Sequence, residues 1–167
     1  VNLHGRTNVC ALTLGLLLAG TASAANAVTA DELSCIGASA RYNGLPPALL
    51  LAVRQQEGGR TGFWRRNADG SFDYGVMQIN SRWLPVLQPL GYTASALTYD
   101  ACASIAAGAW MLAQALAAAR SWNQANPDPD AYWRAVGDYH SRTPALNRGY
   151  AERVWARYRR NVPGKVP

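Results

Sequence analysis

The chain reads as one mainly helical domain with a small loop or hairpin set into it. Three observations carry that expectation. Apolar residues recur at spacings of three and four in several runs, each bounded by Pro, Gly or Asn. The stretch from Ala101 to Ala119 is uncharged and dominated by alanine. Only between Gly58 and Gly75 does the pattern give way to Gly, Asn, Asp and aromatic residues.

Taken in order, the first helix is expected from Asp31 to Tyr42, with Asp31 as its cap and Leu33, Ile36 and Ala40 on one side. Asn43-Gly44 ends it. Leu45-Pro46-Pro47 opens the second, because a first-turn proline lacks an N–H that would be unpaired anyway. That helix runs to Glu57 and stops at Gly58-Gly59. The segment 58–75 is a loop or hairpin with Asp69-Gly70 as its turn. Asn80 to Leu87 reads as a short helix capped by Asn80 or Ser81, and Pro89 to Thr98 as a turn-rich connection.

A long helix follows from Asp100 to about Trp122, with Cys102, Ile105, Ala109, Leu112 and Leu116 on a repeat of three and four. It nearly reaches membrane length. Ser104 and Gln114 interrupt it, and its small residues suit close packing, so a buried core helix is expected. Asn126 to Asp130 breaks the chain and caps a helix from Ala131 to about Tyr139; a last helix runs from Ala145 or Asn147 to Arg160. No internal repeat or linker divides the chain.

Residues 1–24 have the pattern of an export signal. Arg6 is the one charge, Val9 to Ala19 is apolar, and Ala22-Ser23-Ala24 is a small-residue cleavage pattern. The apolar stretch is too short to span a bilayer comfortably, so removal and a periplasmic location, with no stable membrane span, are expected. The domain would occupy 25–160 and a short tail 161–167. Cleavage also removes Cys10 and leaves Cys35 and Cys102 in an oxidising compartment, where a disulfide is the economical pairing. It would close a loop of roughly 66 residues, on the order of 4 kcal/mol in the chain-entropy model. Neither cysteine has a Cys or His at ligand spacing, and no phosphate-binding loop or dinucleotide motif is present, so no metal and no cofactor are expected.

Sixteen basic residues against ten acidic ones give a net charge of +6, nearly all of the basic ones arginine, with Arg153, Arg157, Arg159 and Arg160 crowded near the end. An exported basic protein is drawn to anionic wall polymers or membrane surfaces. With no helix-turn-helix, RNA-binding motif or zinc finger, and with an export signal, nucleic acid is not an expected partner.

Chemistry is expected at Glu57. It lies in the last turn of an apolar helix, where the helix dipole disfavours an ionised acid, and an apolar wall would push the same way. Such a carboxyl stays protonated near neutral pH and can give its proton to a leaving oxygen.

Four segments in this order, Glu57-Gly-Gly, Asp73-Tyr-Gly75-Val-Met77-Gln78-Ile79-Asn80, Tyr139-His-Ser141-Arg-Thr-Pro144 and Tyr150-Ala-Glu-Arg-Val154, resemble the lytic transglycosylases of the soluble-transglycosylase type. The likeness is greatest to small members that accompany type III and type IV secretion, conjugation and pilus machines, the invasion-protein IagB and VirB1-like group. It spans roughly Cys35 to Val154. The resemblance implies a mainly α, lysozyme-like fold with the loop or hairpin flanking a sugar-binding groove. It implies cleavage of the MurNAc–GlcNAc bond of peptidoglycan without added water, closing a 1,6-anhydro ring on the muramic acid. Glu57 would then act as acid and afterwards as base, so a second carboxylate is not required, unlike in most glycoside hydrolases. The protein would work as a monomer on glycan strands, opening the wall locally for an envelope-spanning apparatus.

By the same resemblance Met77 and Gln78 line the groove, with the Gln78 amide holding a sugar substituent. Asn80 and Ser141 belong to the same substrate-binding set, Tyr139 approaches and orients Glu57, and His140 lines the groove. Two departures stand out. Gly58 follows Glu57 where many relatives have serine, and Tyr139-His-Ser-Arg stands where many have Tyr-Asn-Ala-Gly. Competing expectations are a hydrolytic muramidase using Asp69 or Asp73 as second carboxylate, and an inactive wall-binding scaffold that keeps the groove. Asp73 reads more readily as a turn-structuring residue.

Overall fold

The computed structural model describes residues 27–125 and 128–162; the expected leader at 1–24 and the tail beyond Val162 lie outside them, as do Asn126 and Pro127 of the breaker. Among the described residues it has seven helices and one three-stranded sheet.

Helix α1, Ala30–Tyr42, begins one residue earlier than expected. Its cap is Thr29, not Asp31: the Thr29 hydroxyl accepts from the Glu32 N–H at 3.2 Å, and the Glu32 carboxylate accepts from the Thr29 N–H at 3.3 Å. Two otherwise unpaired donors are satisfied reciprocally, an advantage Asp31 does not have. Helix α2, Pro47–Glu57, starts at its prolines and stops where Gly58 turns left-handed at φ 61°. That conformation is nearly free for glycine and strained for other residues.

The sheet is an antiparallel meander of β1, Trp64–Arg66, β2, Phe72–Tyr74, and β3, Ile79–Asn80. Arg65 lies opposite Asp73, and Asp73 opposite Asn80. Its turn is built by Asp69, whose carboxylate accepts from the Ser71 N–H at 3.0 Å and the Ser71 hydroxyl at 2.7 Å. The third strand was not expected. Asn80 ends it and also caps the turn that follows, accepting from the Arg82 N–H at 3.1 Å. The expected helix from Asn80 is therefore a 3-10 turn, Ser81–Trp83, leading into α3, Leu84–Leu87.

The turn-rich stretch after Pro89 contains an unexpected helix, α4, Ala94–Tyr99. The Thr93 hydroxyl caps it through the Ala96 N–H at 3.1 Å, and Leu97 and Thr98 are buried beneath it. Next come α5, Ala101–Ala125, α6, Ala131–Asp138, and α7, Pro144–Asn161. Asp100 caps α5 by accepting from the N–H groups of Cys102 and Ala103 at 2.8 and 3.0 Å.

By length and composition α5 could cross a membrane. In this fold it packs against α1, α4 and α6, and Ile105, Ala109, Leu112 and Leu116 are buried in the core. Helix α7 packs on α2 and α6. Cys35 of α1 and Cys102 of α5 form a disulfide with Cα atoms 5.3 Å apart, tying helices 67 residues distant in the chain.

A second tie sits inside the helical layer. Arg54 of α2 gives its Nη2 to both carboxylate oxygens of Glu32 on α1 at 3.1 Å, and the two side chains are only 2% and 6% exposed. Removing one partner leaves an uncompensated charge in the core, whereas removing both does not. Arg54→Ala is therefore expected to lower the unfolding free energy by about 3–5 kcal/mol. Arg54→Met combined with Glu32→Gln, which keeps the α1 cap, should recover most of that loss; urea unfolding of the three proteins measures it.

Candidate active site

Glu57 occupies the last turn of α2, at the floor of a cleft of about 480 Å³ between the sheet and the helices. The partner that contacts it comes from α7. There Asn147, Tyr150, Ala151 and Val154 recur at spacings of three and four and are buried, on a helix otherwise rich in arginine. Tyr150 donates its hydroxyl to Glu57 Oε1 at 2.5 Å and is itself 1% exposed. Asn161, at the other end of α7, donates to Gln55 Oε1 of α2 at 3.1 Å and fixes the two helices in register.

Burial raises the Glu57 pKa to about 7. The Tyr150 hydrogen bond opposes that rise, the nearby Asp73 charge adds to it, and Arg153 and Arg65 pull it down. Burial and the neighbouring Glu57 push both the Tyr139 and Tyr150 phenols well above their ordinary range, so both remain neutral donors.

The opposite wall is a hydrogen-bonded lattice on the sheet. Asp73 pairs with Arg65 at 2.9 Å and accepts from Asn80 Nδ2 at 2.8 Å; the same amide reaches Ser71 Oγ at 2.9 Å. Asp69 pairs with Arg82 at 2.9 Å. The cleft continues into a second of about 870 Å³ along α5 and α6, and the two share Trp83, Met111, Tyr139 and His140 as walls. Together they form one long groove.

The residues singled out in the sequence fall into two groups. Glu57, Gln78, Asn80, Tyr139 and His140 line the inner cleft, and Ser141 lines its continuation. Met77 does not line it: the side chain is fully buried in the core, where hydrophobic burial holds it, and only its backbone serves the site. The Met77 carbonyl accepts the Tyr139 hydroxyl at 3.2 Å, so that hydroxyl is spent on the backbone while Tyr150 supplies the bond to Glu57. Gly108 of α5 makes this approach possible, since a Cβ there would lie 2.7 Å from Met77 Cε and 2.8 Å from the Tyr139 oxygen. Gln78 sits at φ 47°, a strained conformation for a non-glycine residue, and its side-chain amide donates to the Gly75 carbonyl at 2.8 Å. Asn80 is committed to the wall lattice, and Ser141 Oγ accepts from the Thr143 N–H at 3.1 Å.

Sequence reasoning placed Tyr150 and Arg153 in a family segment without assigning them to Glu57, and weighed Asp73 as a second carboxylate or a turn-structuring residue without pairing it to Arg65. Tyr150 had a legible signal, being the aromatic member of the apolar repeat on an arginine-rich helix. The other two depend on which strands and helices face each other. Among the described residues no group of three or more His, Cys, Asp or Glu side chains could hold a metal ion.

The arrangement presents a carboxyl that is half protonated near pH 7, held by a neutral phenol, at the base of a long groove. It can both give and take a proton. Tyr150→Phe removes a bond that favours the carboxylate, so the Glu57 midpoint should move further above 7, read from its carboxyl carbon by NMR titration. A pKa raised on folding contributes stability below the unfolded value of 4.5 that is lost as pH rises through about 7. Glu57→Gln should therefore gain stability relative to wild type as pH rises from 4.5 to 7, by roughly 3 kcal/mol at pH 8, measured by urea unfolding across that range.

Residues 34–148 match the family model described as the transglycosylase SLT domain. The chain is 32% identical over 117 residues to the invasion protein IagB of Salmonella typhimurium, an alignment covering 67% of each protein. It is 33% identical over 128 residues to the protein IpgF of Shigella sonnei, covering 74% of this chain and 77% of that one. The matched region runs from α1 into α7 and so contains Glu57, the sheet and the Tyr139–Ser141 turn. This protein belongs to the transglycosylase SLT family.

Proposed function

We propose that the protein is a lytic transglycosylase that cleaves the MurNAc–GlcNAc β-1,4 bond of peptidoglycan, with Glu57 as its one acid and base. The observation that carries this is the buried Glu57 carboxyl, titrating near 7 under the Tyr150 hydroxyl at the floor of a long groove. Protonated Glu57 gives its proton to the glycosidic oxygen, the bond to the anomeric carbon breaks, and positive charge develops on the muramic ring. The carboxylate left behind is stabilised by the Tyr150 hydroxyl. It then takes the proton of the muramic C6 hydroxyl, whose oxygen closes on the anomeric carbon to give the 1,6-anhydro product. Acid and base are the same group, so the carboxyl must titrate near the working pH.

Among the described residues Asp73 is a further carboxylate close enough to Glu57 to raise its pKa. It pairs with Arg65 at 2.9 Å and accepts from Asn80 Nδ2 at 2.8 Å, which fixes a second carboxylate in the wall facing Glu57. Water attack is thus the competing outcome. Groove-lining Gln78, Asn80, Tyr139, His140 and Ser141 bind the glycan strand. The disulfide between α1 and α5 suits an oxidising compartment, and the periplasm is the proposed location. Kinship with the invasion protein IagB supports a role in local wall opening for an envelope-spanning secretion apparatus.

Digestion of purified sacculi followed by mass spectrometry tests the reaction. Anhydro-muropeptides are expected; products heavier by one water would mean hydrolysis. Glu57→Gln should reduce product release at least about 100-fold while staying folded. Wild type no more active than that variant would leave a wall-binding scaffold instead.

A further inference from the structure

The Tyr150–Glu57 bond lies beside an open groove, where water would compete for both partners. His140 is exposed and stands in the wall shared by the two halves of the groove. Its imidazole lies parallel to the Tyr150 ring, with centroids 5.0 Å apart and planes 6° apart. Tyr150, beneath it, is 1% exposed. Tyr139 also lies nearly parallel to Tyr150, at 6.3 Å and 18°, but its hydroxyl is committed to the Met77 carbonyl.

We propose that His140 is a positioning residue, an aromatic lid stacked on Tyr150 that keeps the Tyr150–Glu57 hydrogen bond dry and the phenol aimed at the carboxyl. The inference rests on Glu57 being the reacting acid. A hydrogen bond shielded from water is stronger and better aligned than one that water can enter. Burial is also the largest influence holding Glu57 above the ordinary carboxyl range, so whatever lets water past Tyr150 weakens that hold. The flat ring performs this role, not a charge: burial and Arg153 hold the imidazole below its ordinary value, with Asp73 opposing, so it is neutral at pH 7. The charged and titratable groups that face Glu57 are Arg65 of β1, Asp73 of β2, and Tyr150 and Arg153 of α7, with Tyr139 and His140 from the turn before α7. The test leaves all but the last in place.

The Glu57 carboxyl is titrated by carbon NMR in wild type, His140→Ala and His140→Phe, its signal assigned by its loss in Glu57→Gln. Alanine admits water to the carboxyl and weakens the Tyr150 bond; burial is the larger of these two opposed influences on Glu57, so the midpoint should fall, by about one pH unit, and phenylalanine, which restores a flat ring without a titrating group, should bring it back. On sacculi the alkaline limb of the pH–rate profile should move by the same amount. In the alanine variant kcat should fall roughly tenfold, as a misaligned acid requires, and phenylalanine should restore it. An unmoved midpoint in His140→Ala, or a shift in His140→Phe as large as that of alanine, overturns the inference. Midpoints that shift as described in the two variants, with a wild type that releases nothing from sacculi, keep the lid and overturn the proposed reaction instead.

Discussion

The docking of α7 on α2 is the constraint on which the site depends. Alone, the end of α2 would present Glu57 to water as an ordinary helix-terminal acid. With α7 laid across it, the apolar face of Asn147, Tyr150, Ala151 and Val154 closes over that end and Tyr150 meets the carboxylate. The same contact that removes water from Glu57 brings the donor that steadies its ionised form. Desolvation and hydrogen bonding thus pull the pKa in opposite directions, and it settles near 7. Either force alone would leave the group fixed as acid or as base.

Helix α2 carries two ionisable groups one turn apart that meet opposite fates. Arg54 faces α1 and is neutralised by Glu32 within the core. Glu57 faces the groove and, among the described residues, forms no ion pair, feeling only the more distant fields of Arg153 and Arg65 against that of Asp73. The first arrangement fixes how the helices sit, at the expense of desolvating two charges. The second leaves a proton that is easily moved. The disulfide from α1 to α5 and the Arg54–Glu32 pair both hold α1, so the helix beneath α2 is anchored from two sides.

Much of the fold was legible in the chain. The prolines and glycines bounding α2 and the uncharged repeat of α5 are local signals, and local signals survive folding. Where the expectation slipped, a longer-range or side-chain interaction had decided. Thr29 outcompeted Asp31 through its reciprocal bond with Glu32, and α4 formed because Leu97 and Thr98 found cover beneath it. Strand β3 is only two residues long and exists because β2 offers it a partner, which composition does not encode. At the site, the position of Glu57 before a glycine pair pointed to a perturbed acid. The core burial of Met77 and the diversion of the Tyr139 hydroxyl to its carbonyl arose from the close approach of α5 at Gly108.

By itself the sequence determined the helical class, the placement of one carboxyl at a helix terminus and the cysteines available to pair, because periodicity, helix stops and residue chemistry are properties of short stretches. Only the tertiary structure decided which hydroxyl reaches that carboxyl, which aspartate stands near it and what shields them. Those choices depend on the register of α7 against α2 and of β2 against β3, set by packing between residues up to 113 positions apart.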